Sequence, residues 1–366
     1  MTITGKIIFV IVIMFGCATM ASANDLMSEQ AQLYGANELK DLLPDDAALL
    51  MSGQDPTKET DILQSFYSVF FSALDNVTDQ TKGAIVTVVQ TVLVIAICQI
   101  SDSICTDKGK MVVSTTAALA IAVNSIGGLH AMIGLGRETI GKLMDYSDVL
   151  LPSMVAAATA SGSVTRAGAI YTLAVVLSNL IVRFINYVLL PAVYASVILA
   201  LVDALTQQER LKRLREFVGF FIEKTLKGSI YLFVAFITLT GIVSGNTDTA
   251  LVRAVKATIS GAVPVVGTII SSAAGGIFST AGVLKNTIGV FGILALFAIF
   301  ITPFLKIGIS GIAYKIMSAI SGVFESKQSS FLEAISSSLG HVIAMVGASV
   351  FICMLSCFCL LGVTQL

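Results

Sequence analysis

Charge is what this sequence has least of. Only 12% of its 366 residues are Asp, Glu, Lys or Arg, while 55% are hydrophobic, and a soluble domain carries about 25% charged residues. A water-soluble fold of this length needs more charge on its surface, because those residues are almost never fully buried unless paired. The deficit, with a mean hydropathy of +0.90, excludes a soluble enzyme and points to lipid as the solvent. The basic residues are few and, one cluster apart, scattered, and the net charge is −1. Nucleic acid is excluded as a partner on that ground.

The residues that carry most catalysis and metal binding are equally sparse. There are two histidines, His130 and His341, and neither sits in an H-E-x-x-H or Ser-His-Asp arrangement. Six cysteines supply neither a disulfide framework nor zinc spacing. Cys105 falls in a short polar loop, whereas Cys98, Cys353, Cys357 and Cys359 fall in apolar runs and read as packing residues. The glycine pairs Gly127-Gly128 and Gly275-Gly276 lack the strand-turn-helix context of a nucleotide site, so close helix packing is the better reading. No cofactor is implied.

What the chain does contain is a succession of apolar segments behind a polar head. Lys6, the apolar run Ile7 to Phe15 and Ala21-Ser22-Ala23 have the layout of a signal peptide over residues 1–23. A lipoprotein reading through Cys17 is disfavoured by the bulk of Phe15. Residues 24–82 hold eleven Asp or Glu against three Lys and read as an acidic extracytoplasmic region. Near its end, Phe66, Val69, Phe70 and Ala73 at helical spacing predict an amphipathic helix over 62–74 that packs against the membrane domain.

A helix needs roughly 20 apolar residues to cross hydrocarbon. Spans are predicted over 84–100, 111–135, about 229–245, 288–305 and 341–363, with residues 137–148 as an amphipathic stretch between spans. The run 167–205 reads either as one tilted helix plus an interfacial piece or as a tight hairpin, and 307–324, with Lys315, as interfacial or bundle-facing. The expected fold is an all-α polytopic transmembrane bundle of about six or seven spans. Arg183 and Asp203 are the ionisable residues set deepest in apolar sequence. Such groups usually face the bundle interior or water, which makes Arg183 a pore candidate, with snorkelling to an interface as the alternative. The basic stretch 208–227 is cytoplasmic by the positive-inside tendency. Its Arg210, Lys212, Arg213 and Arg215 are candidate contacts for anionic lipid or a cytoplasmic partner.

The membrane domain, 83–366, carries an internal repeat. Pro152 and Pro191 recur as Pro264 and Pro303 at an offset of 112 residues, and LLPSMVAAATASGS from Leu150 aligns with AVPVVGTIISSAAG from Ala262. Two parallel copies, about 111–222 and 223–334, followed by a last span at 341–363, are the expected organisation. Each proline-led segment is expected to begin after a helix break. The small residues behind it, Ala158 and Gly162 in one copy and Gly275 and Gly276 in the other, would line a pore or a close helix contact.

The order of parts resembles the stage III sporulation protein AE family over most of the chain. The resemblance is carried by LLPSMVAAATASGS, NYVLLPAVYASVILALVDAL from Asn186, GAVPVVGTIISSAAGG from Gly261, LKNTIGVFGILAL from Leu284 and PFLKIGISGIAYKI from Pro303. It implies a multi-pass protein of the mother-cell membrane around the forespore, working as one subunit of a multi-protein channel. It further implies other sporulation-channel membrane proteins as partners, and a forespore-side partner in the intermembrane space. The competing expectation is a secondary transporter or permease with its site between the two repeats.

Overall fold

A computed structural model describes residues 39, 41–52, 62–104, 107–160, 166–206, 209–239, 287–323 and 329–363. Among them the regular structure is helical, with no strand: α1 (Asp45–Leu50), α2 (Ile62–Asp75), α3 (Thr78–Ile104), α4 (Asp107–Ala160), α5 (Arg166–Phe184), a π-helical turn (Ile185–Leu189), α6 (Leu190–Thr206), α7 (Glu209–Leu239), α8 (Thr287–Val323) and α9 (Ser329–Val363). The leader, Cys17 and Pro264, Gly275 and Gly276 lie outside the described residues.

Five of these helices are long and apolar enough to cross a membrane: Thr81–Ser101, Leu119–Val155, Thr172–Asp203, Gly289–Val323 and Ser329–Leu360. The all-α membrane bundle expected from composition is what the chain forms. α8 and α9 make an antiparallel hairpin at its centre, and α4 and α6 pack on α9 while α3 packs on α8. The cysteines read as packing residues, Cys98, Cys353, Cys357 and Cys359, are buried. The amphipathic helix predicted over 62–74 is α2, whose Phe66, Val69 and Ala73 are buried. Phe66 meets Phe297 edge-on at 4.9 Å and fixes α2 against α8.

Two expectations about where helices end are corrected, and the alternatives for 167–205 are decided. Pro152 does not start a new segment, because α4 runs through it to Ala160. A proline inside a helix loses one hydrogen bond and costs about 3 kcal/mol. Here Leu150, Leu151 and Met154 are buried on either side, and their packing holds the helix together. Pro303 is likewise internal to α8, so 288–305 and 307–324 are one helix. The run 167–205 is one helical rod with a π-helical turn at Ile185–Leu189, and no hairpin. In an ordinary α-helix Pro191 would clash with the carbonyl four residues back, that of Tyr187, which here lies inside the wider turn.

Where the bundle is tightest, glycine is a packing requirement. A Cβ at Gly136 of α4 would collide with Val342 of α9 and approach Ile307 of α8, and one at Gly292 would lie 2.7 Å from Leu150. These contacts set the relative depth of the helices, and so the depth of every charge on them.

Candidate functional site

The residues singled out by sequence do not gather in one place. Pro152 is exposed on α4, Pro191 is exposed near the start of α6, and Pro303 is half-buried in α8, about three turns from the Gly292–Leu150 contact. Ala158 lies in the last turn of α4, and Gly162 falls outside the described residues. The expected pairing of small-residue segments therefore rests on residues of which one copy, 264–276, is not described.

Arg183 has a partner that sequence reasoning missed. Its Nη2 donates to Asp148 Oδ2 at 2.7 Å, and Asn179 Nδ2 donates to Asp148 Oδ1 at 2.6 Å. Three side chains on α4 and α5 thus form one constellation, and both carboxylate oxygens are satisfied. It opens outward: the Arg183 side chain is 49% exposed and that of Asp148 34%. On its inner side Tyr146 Oη and Asn186 Oδ1 are buried and make no hydrogen bond among the described residues. Asn186 belongs to the π-helical turn, a distortion often found at functional positions.

Asp148 is the last member of a charged stripe. At about 100° per residue, Arg137, Glu138, Gly141, Lys142, Asp145 and Asp148 share one face of α4, and all are exposed or half-exposed. Lys142 pairs with Glu138 at 2.7 Å. The opposite face, Ile140, Leu143, Met144, Tyr146 and Leu150, is fully buried. The amphipathic stretch read at 137–148 is real, but it is part of the α4 rod instead of a connection between spans.

The basic cluster also divides. Lys212 and Arg213 are exposed at the start of α7, and the Arg210 side chain is not described. Arg215 is corrected: the antiparallel α6–α7 hairpin puts Asp203 opposite it, and the two pair at 3.5 Å with side chains only 16% and 13% exposed. It pins α6 to α7. A second pair at this end, Lys315–Glu333 at 2.9 Å, joins α8 to α9. Among the described residues no three His, Cys, Asp or Glu side chains converge as metal ligands.

The family model for stage III sporulation protein AE matches residues 45–364. This chain belongs to that family. It is 24% identical over 202 residues to stage III sporulation protein AE of Bacillus subtilis (strain 168), an alignment covering 55% of this chain and 51% of the relative. The match thus spans about half the length of that relative. No solved structure matches. The chain is a sporulation protein with membrane helices, and its family is not that of a known enzyme class.

Proposed function

We propose that this member of the stage III sporulation protein AE family is a non-enzymatic membrane subunit of a multi-protein channel required for endospore development. It would reside in the mother-cell membrane around the forespore, with other sporulation membrane proteins beside it and a forespore-side partner meeting the acidic region 24–82. The observation that carries the reading is the outward charged face of α4, closed by Arg183. Such a face costs a membrane protein too much to leave against lipid.

The experiment is purification of the tagged chain from sporulating cells, with and without residues 30–60. The full chain is expected to bring down further sporulation membrane proteins, and the shortened chain to insert normally and lose them. Recovery of the full chain alone, with solute uptake by that single protein in liposomes, overturns the channel reading. That outcome favours a secondary transporter, whose foothold is the polar constellation beside the π-helical turn, where a broken helix would bind solute.

A further inference from the structure

Among the described residues, ionisable groups lie at both ends of the bundle and between them, those of α7 (Glu223 and Lys227) included. At one end lie Asp203–Arg215 and Lys315–Glu333. Gly128 of α4 sits at the same depth, since a Cβ there would lie 3.7 Å from Tyr314 Oη, beside Lys315. At the other lies Asp148–Arg183. From Arg183 to Asp203 the rod is about 30 Å long at ~1.5 Å per residue. Between these ends lie Arg137, Glu138, Lys142 and Asp145. Their depth is fixed by the contact of Gly136 with Val342 and Ile307, and Lys306 is level with them on α8.

A hydrocarbon core is also about 30 Å thick. Laid between the two outer levels, it holds the α4 stripe at its centre. Shifted toward the apolar ends of α5 and α9, it holds Asp148 and Arg183 at its centre. No placement that covers the apolar body of α8 and α9 puts every one of these charges among headgroups. Snorkelling does not rescue them, because Asp148 is too short to reach an interface and Arg183 extends sideways to Asp148. The face therefore needs something more polar than lipid against it.

We infer that the outer face of α4 from Arg137 to Asp148, with Asn179 and Arg183 of α5, is the water-facing wall of the solute path in the assembled channel. The inference rests on the channel reading and names the wall within it. The wall carries three cations, Arg137, Lys142 and Arg183, against three carboxylates, Glu138, Asp145 and Asp148. With no excess of either sign, it suits small polar solutes without selecting by charge. Gly134 and Gly141 leave open space along it, since a Cβ at either would meet nothing within 4 Å.

The test is cysteine accessibility in native sporulating-cell membranes, in a full-length chain with Cys105 replaced by Ser and the four buried cysteines retained. Lys142→Cys, Asp145→Cys and Asn179→Cys are compared with Ile97→Cys, Val123→Cys and Leu173→Cys, which are exposed on apolar surface. The probe is a sulfonated, membrane-impermeant methanethiosulfonate, which reacts with the thiolate that water supports and lipid suppresses. The first three are expected to react at least about tenfold faster than the controls. Equal, slow reaction of all six overturns the inference. So does fast reaction at Lys142→Cys with slow reaction at Asn179→Cys, which would make the stripe one membrane surface and not a continuous wall. Fast reaction at all three in a chain that co-purifies with no other membrane protein leaves the wall standing and overturns the subunit reading alone.

Discussion

α3 and α9 are both apolar enough to span a bilayer, yet 17% of the α3 span is buried inside the protein against 83% of the α9 span. α9 is enclosed by α4, α5, α6, α7 and α8, whereas among the described residues α3 leans mainly on α4 and α8 and presents Ile85, Val89, Leu93, Ile97 and Ile100 outward. Hydropathy reports that a helix tolerates lipid. It does not report whether lipid or protein covers it. Where lipid is the alternative, association depends on close fit and polar pairing, because apolar side chains gain little by leaving lipid for protein. Glycine contacts and ion pairs should therefore matter most around α9 and least around α3.

The largest effect is expected at Gly136. A leucine there must displace Val342, a stiff β-branched residue already wedged between α4 and α9, with Ile307 and Val346 close behind. Overpacking of this kind costs about 3 kcal/mol, so Gly136→Leu is expected to lower the thermal unfolding midpoint in detergent sharply. Gly141→Leu, on the same helix with nothing within 4 Å, is expected to leave it unchanged. Equal midpoints for the two variants would show that the α4–α9 contact is not the core. Ile97→Ala on α3 extends the comparison and is expected to be silent.

The Asp203–Arg215 pair comes next, because it is the least exposed of the pairs described across helices. Removing one charge leaves the other without its partner in a largely desolvated site. The 3.5 Å separation is long for a strong charge-assisted bond, so about 2 kcal/mol is expected for Asp203→Asn. Arg215→Gln should cost a similar amount, and the double variant should cost less than the sum. Strict additivity in that cycle would mean that α6 and α7 are joined by packing alone.

These cases also show what was legible beforehand. Runs 84–100, 111–135, 288–305 and 341–363 were readable because a spanning helix needs an unbroken apolar stretch, and each lies within one helix of the structure. The break expected at Pro152 does not form, because local rules price a proline in isolation while buried neighbours decide whether the helix continues. Arg183 stood out by its apolar surroundings, but its partner did not. Asp148 lies 35 residues away and seemed to end a polar connection. Only the α4 rod, packed against α5, brings the two together. Composition groups Arg215 with Lys212 and Arg213, and the hairpin separates it from them.

Asp148–Arg183 ranks third for stability, although it carries the functional argument. Both side chains are partly exposed, and a partly solvated pair gives roughly 1 kcal/mol or less. Asp148→Asn and Arg183→Gln are therefore expected to fold and insert while sporulation efficiency falls at least about tenfold, a loss too large for ~1 kcal/mol of stability to explain. The exchanged pair, Asp148→Arg with Arg183→Asp, is expected to restore folding but not full activity, because Asn179 then faces the wrong charge. Full sporulation in both single variants would reduce the pair to a helix fastener.

The smallest effect is expected at Lys315–Glu333, the most exposed of the pairs between helices. Its geometry at 2.9 Å is better than that of Asp203–Arg215, yet its side chains are 63% and 61% exposed. Water screens such a pair, and ordering two long side chains offsets much of what the contact supplies, so exposed pairs are worth about 0.2–1 kcal/mol. The α8–α9 hairpin it decorates is already held by buried neighbours on both strands of the turn, Met317 and Ser321 on one side and Phe331, Leu332 and Ile335 on the other. Lys315→Ala and Glu333→Ala are therefore expected to shift the unfolding midpoint by a degree or so, roughly 0.3 kcal/mol, and raising the salt concentration should erase even that. The contrast with Asp203–Arg215 is the sharper measurement, since the shorter bond should be the weaker contributor. If Lys315→Ala destabilises the protein more than Asp203→Asn, distance outranks burial, and the depth assigned to the charged levels of the bundle must be redrawn.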